Sequence, residues 1–319
     1  FMDCSALIKY TGKELFAGHT TWRNYALINK FYKRYNFQFA NAEVNRVSFA
    51  SSPAFLSSKD DFYVTDANLV VMETTNSIFN GSLYKNYLTP RSVLTWMRSI
   101  ISNALATNGK QWTDTFALYN SGTYDNQWMV VDYKLFTQGK TLAANTLWIL
   151  EQIPGYTEAA DVTSILAKQG YWPSYNIPYF ERIYNMSGYP EQLSKVTDPN
   201  DLIYSKCPRA KIFAVQQEKI LQINDFQRVL QYNEYQTDPL SMGDPGKAIA
   251  SRYDLRTTQN IRCAGGVDSK VTSFELVNKD LTALGIAGPT HQNLPAFDWS
   301  DPKWVKEVHV CKTRIVDIY

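Results

Sequence analysis

The chain has 319 residues, 45% of them apolar and 19% charged, an ordinary globular composition that excludes disorder, collagen and coiled coil. A net charge of +2 offers no field for a polyanion, so no nucleic-acid partner is expected. The longest aliphatic run, Leu69 to Met72, falls far short of the roughly 20 residues of a spanning helix, so no transmembrane segment is expected either.

The chain opens on Phe1 with no basic region leading into an apolar stretch, so any secretory signal is expected upstream, in a longer precursor. The sequons Asn80-Gly81-Ser82 and Asn185-Met186-Ser187 permit glycosylation. Cys4 to Tyr10 and Glu14 to His19 are short apolar runs around Thr11-Gly12-Lys13, which predicts a β-hairpin. With Thr11-Gly12 as the loop, Tyr10 pairs with Lys13 and Cys4 comes directly opposite His19. A loop one residue longer moves His19 one place diagonally. Thr20 and Thr21 then cap a helix expected over 22–35.

Phe62 to Val64 and Leu69 to Thr75 flank Thr65-Asp66-Ala67-Asn68 as a second hairpin. Ser92 to Leu105 reads as an amphipathic helix with Val93, Met97, Ile100, Ile101 and Leu105 inward. Gln127 to Leu135 and Thr146 to Ile153 form a third hairpin, with its turn around Gln138-Gly139-Lys140. Five prolines between Gly170 and Arg209 predict surface loops, Asn224 to Tyr235 a helix, and Val271 to Val277 and Val305 to Ile318 late strands, the first of which could run on into a helix. Hairpins interrupted by helices argue an α+β fold, antiparallel sheet covered by helices, and the absence of a linker argues one domain over residues 1–319.

Among four cysteines, Cys207, Cys263 and Cys311 are widely spaced and form no CxxC pattern, so no zinc, other metal or cofactor is expected, and at most one disulfide joins these three. The ordinary reading of any one cysteine is a buried apolar side chain. Cys4 differs because a short turn brings His19 towards it. A thiol held near a base deprotonates near neutral pH and attacks an acyl carbon, and His19 is either that base or a group that orients the substrate.

Seven blocks taken in order, Cys4-Ser5-Ala6-Leu7-Ile8-Lys9, His19-Thr20-Thr21-Trp22, Thr74-Thr75-Asn76, Tyr119-Asn120-Ser121-Gly122-Thr123-Tyr124, Glu151-Gln152-Ile153-Pro154, Tyr171-Trp172-Pro173-Ser174-Tyr175-Asn176-Ile177-Pro178 and Pro208-Arg209-Ala210-Lys211-Ile212-Phe213, resemble the phospholipase B-like (lamina ancestor) family across nearly the whole chain. The resemblance implies an αββα sandwich of the N-terminal nucleophile hydrolase type, made as a secreted or lysosomal precursor and cut so that a cysteine heads the larger fragment. It implies that this chain corresponds to that larger fragment, with a smaller upstream fragment of the same precursor as its bound partner.

Residue by residue, the resemblance makes Cys4 the nucleophile, with His19 and Trp22 beside it and Thr75 as a pocket hydroxyl. Asn176 is the oxyanion donor, and Arg209 steadies negative charge. Asp3-Cys4 is the expected self-cleavage bond, where the Asp3 carboxylate could position water. The freed α-amino group, with a reference pKa of about 7.7 to 8.0, then serves as base for its own thiol. The family name suggests glycerophospholipid acyl esters as substrate. Enzymes of this fold suggest amides instead, such as N-acyl amines or short peptides. A third reading is a lysosomal lipid-binding protein whose cysteine cuts only its own precursor.

Overall fold

The computed structural model describes residues 4–257 and 260–304. Asp3 and the Asp3-Cys4 bond, Cys311 and the strand expected over 305–318 lie outside the described residues. Strands β1 (Cys4–Tyr10) and β2 (Leu15–Asn24) form the expected hairpin, but its connection is the four residues Thr11 to Glu14, and Tyr10 pairs with Leu15. The Thr11 hydroxyl organises this loop by accepting from Glu14 N at 2.9 Å. Cys4 therefore faces Thr21, and His19 faces Ala6. Because side chains alternate with period two, a two-residue shift in register leaves His19 on the same face as Cys4, on the diagonal.

The helix expected over 22–35 does not form. β2 runs on to Asn24, a 3-10 turn covers Tyr25–Leu27, and β3 (Phe31–Asn36) follows. Thr20 directs its hydroxyl to the Leu230 carbonyl at 2.7 Å rather than to a helix cap. Trp22 to Asn24 are held extended by pairing with Gly266 to Ala264, and the aromatic-rich β3 finds a sheet partner in residues 46–51.

From β3 the chain continues as an antiparallel meander in sequence order through β4 (Arg46–Ser51), β5 (Phe62–Thr65), β6 (Leu69–Thr75), β7 (Asn126–Asp132), β8 (Leu147–Ile153) and β9 (Tyr156–Asp161). The second and third predicted hairpins are present as β5–β6 and β7–β8. An unforeseen one joins β8 to β9 through Pro154-Gly155, where Gly155 takes φ 80°, a left-handed conformation that favours glycine. The other sheet adds β10 (Tyr171–Ser174), β11 (Ala264–Gly266), β12 (Asp268–Ser273) and β13 (Leu284–Ala287) to the first hairpin, in the order β10-β1-β2-β12-β13, with β11 paired to the end of β2.

Three clusters define four layers. Ala6, Ile8 and Ala17 of one sheet meet Val70, Met72, Met129 and Ile149 of the other, so the central core lies between the sheets. Leu7, Phe16 and Val271 on the outer face of the first sheet pack under Phe213 and Phe226 from the helices Pro208–Gln216 and Ile223–Leu230. Tyr63, Val71, Trp128 and Leu150 on the outer face of the second pack under Trp112 and Phe116 of the helix Gly109–Ala117. This is the expected αββα sandwich. Among the described residues no helix is long and apolar enough to cross a membrane.

Two further expectations need correction. The helix Thr95–Leu105 turns its apolar residues outward: Met97, Ile100 and Ile101 are exposed, while Arg98, Ser99, Ser102 and Asn103 are buried. Most of these buried polar groups are satisfied, Arg98 by the carbonyls of Val93 and Phe116 and by Asn120 and Gln152, Ser99 by the Trp96 carbonyl and Asn103 by the Trp112 indole, whereas the Ser102 hydroxyl has no partner among the described residues. The proline-rich stretch 170–209 is not mainly loop. It holds β10 and the short helices Glu181–Met186 and Tyr189–Gln192, and Pro173 is tolerated because β10 is an edge strand. Residues 271–277 split between β12 and the helix Phe274–Asp280, and 223–230 are helical.

Gly18 on β2 makes the outer helix contact possible, since a Cβ there would lie 2.2 Å from Leu230 Cδ1 and 2.7 Å from Phe226 Cε1. Gly18→Ala is expected to destabilise the fold by about 1–3 kcal/mol through overpacking, read as a lower urea midpoint at unchanged m-value. An unchanged midpoint would show that this helix moves away freely.

Candidate active site

Cys4 begins β1 on the face that packs against the second sheet, and its exposure is 1%. Its backbone N–H donates to Asn176 Oδ1 at 3.2 Å, and its carbonyl accepts from Arg209 Nη1 at 2.6 Å. Asn176 follows β10 with φ 71°, a left-handed conformation that asparagine tolerates, and its Nδ2 donates to the Thr75 carbonyl at 2.7 Å. Arg209 lies in the first turn of its helix, donates also to the Tyr175 carbonyl and Ser5 Oγ, and stacks its guanidinium 4.4 Å from the centre of the Trp22 ring. Trp22 is fixed in turn by its indole N–H on the Ile249 carbonyl. The structure thus gathers Cys4, Trp22, Thr75, Asn176 and Arg209 from five separate segments.

His19 is fully buried on the same face as Cys4, and its Nδ1 lies 3.4 Å from Thr21 Oγ1. That hydroxyl accepts from Lys270 Nζ at 2.6 Å, and Lys270 is paired with buried Asp268 at 2.8 Å. Burial, and then the Lys270 charge, hold the His19 pKa well below its ordinary value, so the ring is neutral. Burial, and then Glu73, push the Cys4 thiol up to about 12. In this arrangement neither group is a ready thiolate or imidazolium.

Sequence reasoning missed Glu73, Asp61 and Tyr124. Ligand atoms of Cys4, His19 and Glu73 lie within 4.8 Å of one another. The Tyr124 hydroxyl sits 2.5 Å from Asp61 Oδ2 and 2.9 Å from Glu73 Oε1, and Thr75 Oγ1 reaches Glu73 Oε2 at 3.2 Å. One hydroxyl proton cannot serve two carboxylates, so one carboxyl must keep its own proton to use both contacts. Burial, and then the Asp61 charge, push Glu73 above the usual carboxylate range, and burial pushes Asp61 up as well, which favours a proton held within the pair. The available signal was a carboxylate closing an otherwise apolar run, Leu69-Val70-Val71-Met72-Glu73.

A cleft of about 370 Å³ opens beside this centre, lined by Trp22, Asn176, Arg209, Tyr253, Lys247 and Arg256 among others. It reaches the groups that hold the Cys4 backbone, while Cys4 itself is not among its lining residues. The two sequons meet elsewhere on the surface: Asn80 N and Phe79 N both donate to the Ser187 carbonyl, Asn80 Nδ2 donates to the Met186 carbonyl, and Asn185 is exposed.

A phospholipase B family model matches residues 1–317. The chain belongs to the phospholipase B family. Within the family it is 48% identical over 311 residues to phospholipase B-like protein C of Dictyostelium discoideum, covering 94% of this chain and 55% of that protein. It is 42% identical over 301 residues to phospholipase B-like 1 of Homo sapiens, covering 93% and 53%. The chain thus spans about half the length of the curated family members it matches. Among solved structures, a variant of conjugated bile acid hydrolase from Clostridium perfringens is similar at TM-score 0.48 and 10% identity, covering 89% of this chain and 92% of that one. Penicillin V acylase from Agrobacterium tumefaciens is similar at TM-score 0.45 and 11% identity, covering 86% and 80%. The αββα assignment of this family member stands on its own layers.

The buried acids set a pH dependence. Burial is the main cause that raises Glu73 and Asp125 to about 8 and Glu151 to about 7, against unfolded values near 4. The native state then holds protons that the unfolded chain has released, so stability is lost as pH rises through these values. His19 acts oppositely, because the unfolded ring gains a proton below about 6.5 that the native ring refuses. Above that pH the carboxyls act alone, and calorimetry should show the melting temperature falling between about pH 6.5 and 8, less steeply in Glu73→Gln. A rising melting temperature over that interval would refute the buried-acid assignment.

Proposed function

We propose that this chain, as one hydrolase domain over residues 1–319, is the larger part of a phospholipase B-like acyl hydrolase that deacylates glycerophospholipids through a thioester on Cys4. The observation that carries the reading is the grip of Asn176 and Arg209 on the two ends of the Cys4 peptide, with Trp22 beneath the guanidinium. Family membership supports the ester chemistry.

In the proposed sequence the thiol first attacks the Asp3 carbonyl, the Asp3-Cys4 C–N bond breaks, and the nitrogen leaves as an amine. Water then hydrolyses the thioester and frees the thiol. In catalysis that amine takes the thiol proton, and Sγ bonds to the substrate acyl carbon. An N–H of the Asn176 amide stabilises the tetrahedral oxyanion, and Arg209 steadies the charge from the Cys4 carbonyl side. Collapse expels the glyceryl alkoxide, which takes the proton back from the ammonium, and water releases the fatty acid. His19 remains neutral, orienting the centre with Trp22 and Thr75. A continuous Asp3-Cys4 backbone would leave an amide nitrogen that cannot act as base, so activity should follow the cut.

Incubating the matured protein with matched ester and amide substrates tests this. Ester turnover that Cys4→Ala abolishes, and that Asn176→Ala lowers by about 10²–10³ in kcat, is expected. Turnover of the amide alone would replace the phospholipase reading with an amidase. An acyl probe that never labels Cys4, with neither substrate consumed, would leave the lipid-binding reading. Full activity in protein shown uncut by intact mass and amino-terminal sequencing would overturn the amine as base.

The proposal extends to the partner, the smaller upstream fragment of the same precursor, and to a lysosomal or secreted setting with glycans on Asn80 and Asn185. An apolar surface supports the partner: Trp96, Met97, Ile100 and Ile101 point outward beside a groove of about 350 Å³ lined by Tyr35, Phe37, Phe39 and Leu56. Native chromatography should show the two fragments co-eluting, and Ile100→Glu should separate them without lowering the urea midpoint of this chain. Co-elution untouched by that change would move the partner elsewhere.

A further inference from the structure

We propose that Cys4, His19 and Glu73 form a zinc site that caps the nucleophile. The three residues come from β1, β2 and β6, strands of both sheets, so no sequence spacing announces them. One donor atom of each lies within 4.8 Å of the other two, and all three side chains are buried. Donors at 2.0–2.3 Å from a tetrahedral zinc stand roughly 3.3–3.7 Å apart, so closing the cluster takes side-chain movements of about an ångström. Thiolate, imidazole and carboxylate together suit zinc, and the thiolate disfavours calcium and magnesium.

A second observation points to the same place. His19 Nε2 is a buried polar atom that makes no well-formed hydrogen bond, the ring having only the Glu73 backbone as a further polar neighbour, while Nδ1 faces Thr21 Oγ1. The first is the nitrogen left for an ion, and the second has the outer partner that a ligating histidine uses. Glu73 is likewise oriented by Tyr124 and Thr75. On binding, Cys4 and Glu73 lose their protons to solvent, and the two negative charges balance the divalent ion, which a buried site requires. With Sγ bonded to zinc its lone pair is engaged. Both self-cleavage and acyl transfer are then blocked until the ion is removed; this consequence, unlike binding, rests on the reading of Cys4 as nucleophile.

The test titrates the full chain with zinc chloride by calorimetry in two buffers of different ionisation enthalpy, then substitutes cobalt(II) for absorption. One ion per chain with proton release, and a thiolate-to-cobalt charge-transfer band, are expected. Cys4→Ser and Cys4→Ala should both lose the band, His19→Ala and Glu73→Gln should each weaken binding more than about 100-fold, and Cys207→Ala, outside the cluster, should bind as the parent does. Circular dichroism of each variant separates lost ligands from lost fold. No stoichiometric binding, or a band that survives Cys4→Ala in folded protein, overturns the site. Stoichiometric zinc is expected to abolish hydrolysis and a chelator to restore it. Binding that leaves hydrolysis intact would overturn the capping, and with it the role of Cys4, while the metal site itself would stand.

Discussion

The site depends on how the backbone of one residue is pinned at the beginning of a strand. A strand end commonly frays, because its last N–H and C=O have no ladder partner. Here Asn176, 172 residues away, accepts from the Cys4 N–H, and Arg209, 205 residues away, donates to its carbonyl. Neither anchor is independent. Asn176 holds its angle by donating to the Thr75 carbonyl, and Arg209 holds its own on Tyr175 and the Trp22 ring. The backbone from which the thiol projects is therefore fixed before any substrate arrives, the kind of preorganisation that acyl transfer needs.

Around that residue, burial disfavours the charged forms of the thiol, the imidazole and the Glu73 carboxyl. The thiol is pushed up to about 12 and Glu73 to about 8, while His19 is pushed down, in each case chiefly by loss of solvent. Charged groups nearby include Arg23 and the ion pair of Lys270 with Asp268, whose ammonium also holds the Thr21 hydroxyl beside His19. That ammonium discourages protonation of the imidazole, which argues against histidine as the base and in favour of an amine generated on Cys4 itself. In the proposed mechanism cutting and activation are then one event.

Much of this was legible in the sequence where the determinants are local. The hairpins over 62–75 and 127–153 follow from β-branched and aromatic runs around polar turns, and Cys4 and His19 share a face because the register shifts by two residues, a whole period of the strand. What failed depended on distant partners. The helix expected over 22–35 lost to β11, some 240 residues later, which keeps Trp22 to Asn24 extended. Glu73 carries no spacing relation to Cys4, since they approach only when two sheets stack. Asn176 and Arg209 were placed by resemblance alone, and their hydrogen bonds to one peptide could be seen only in three dimensions.

The inverted helix Thr95–Leu105 ties these lines together. Hydrophobic periodicity assigns its apolar stripe to the core, but its polar stripe has bonds to make that the stripe cannot supply. Arg98 reaches Asn120 and Gln152, and Thr95 donates to the Thr123 carbonyl. Gln152 in turn donates to the Tyr124 carbonyl at 2.8 Å. These contacts fix the segment Asn120 to Tyr124, and that segment delivers the Tyr124 hydroxyl to Asp61 and Glu73. Breaking a buried, hydrogen-bonded guanidinium costs more than leaving a few aliphatic side chains half in water, so the polar face wins the interior. The helix thereby exchanges its own hydrophobic burial for placement of the Tyr124 hydroxyl beside Glu73, and leaves Met97, Ile100 and Ile101 exposed.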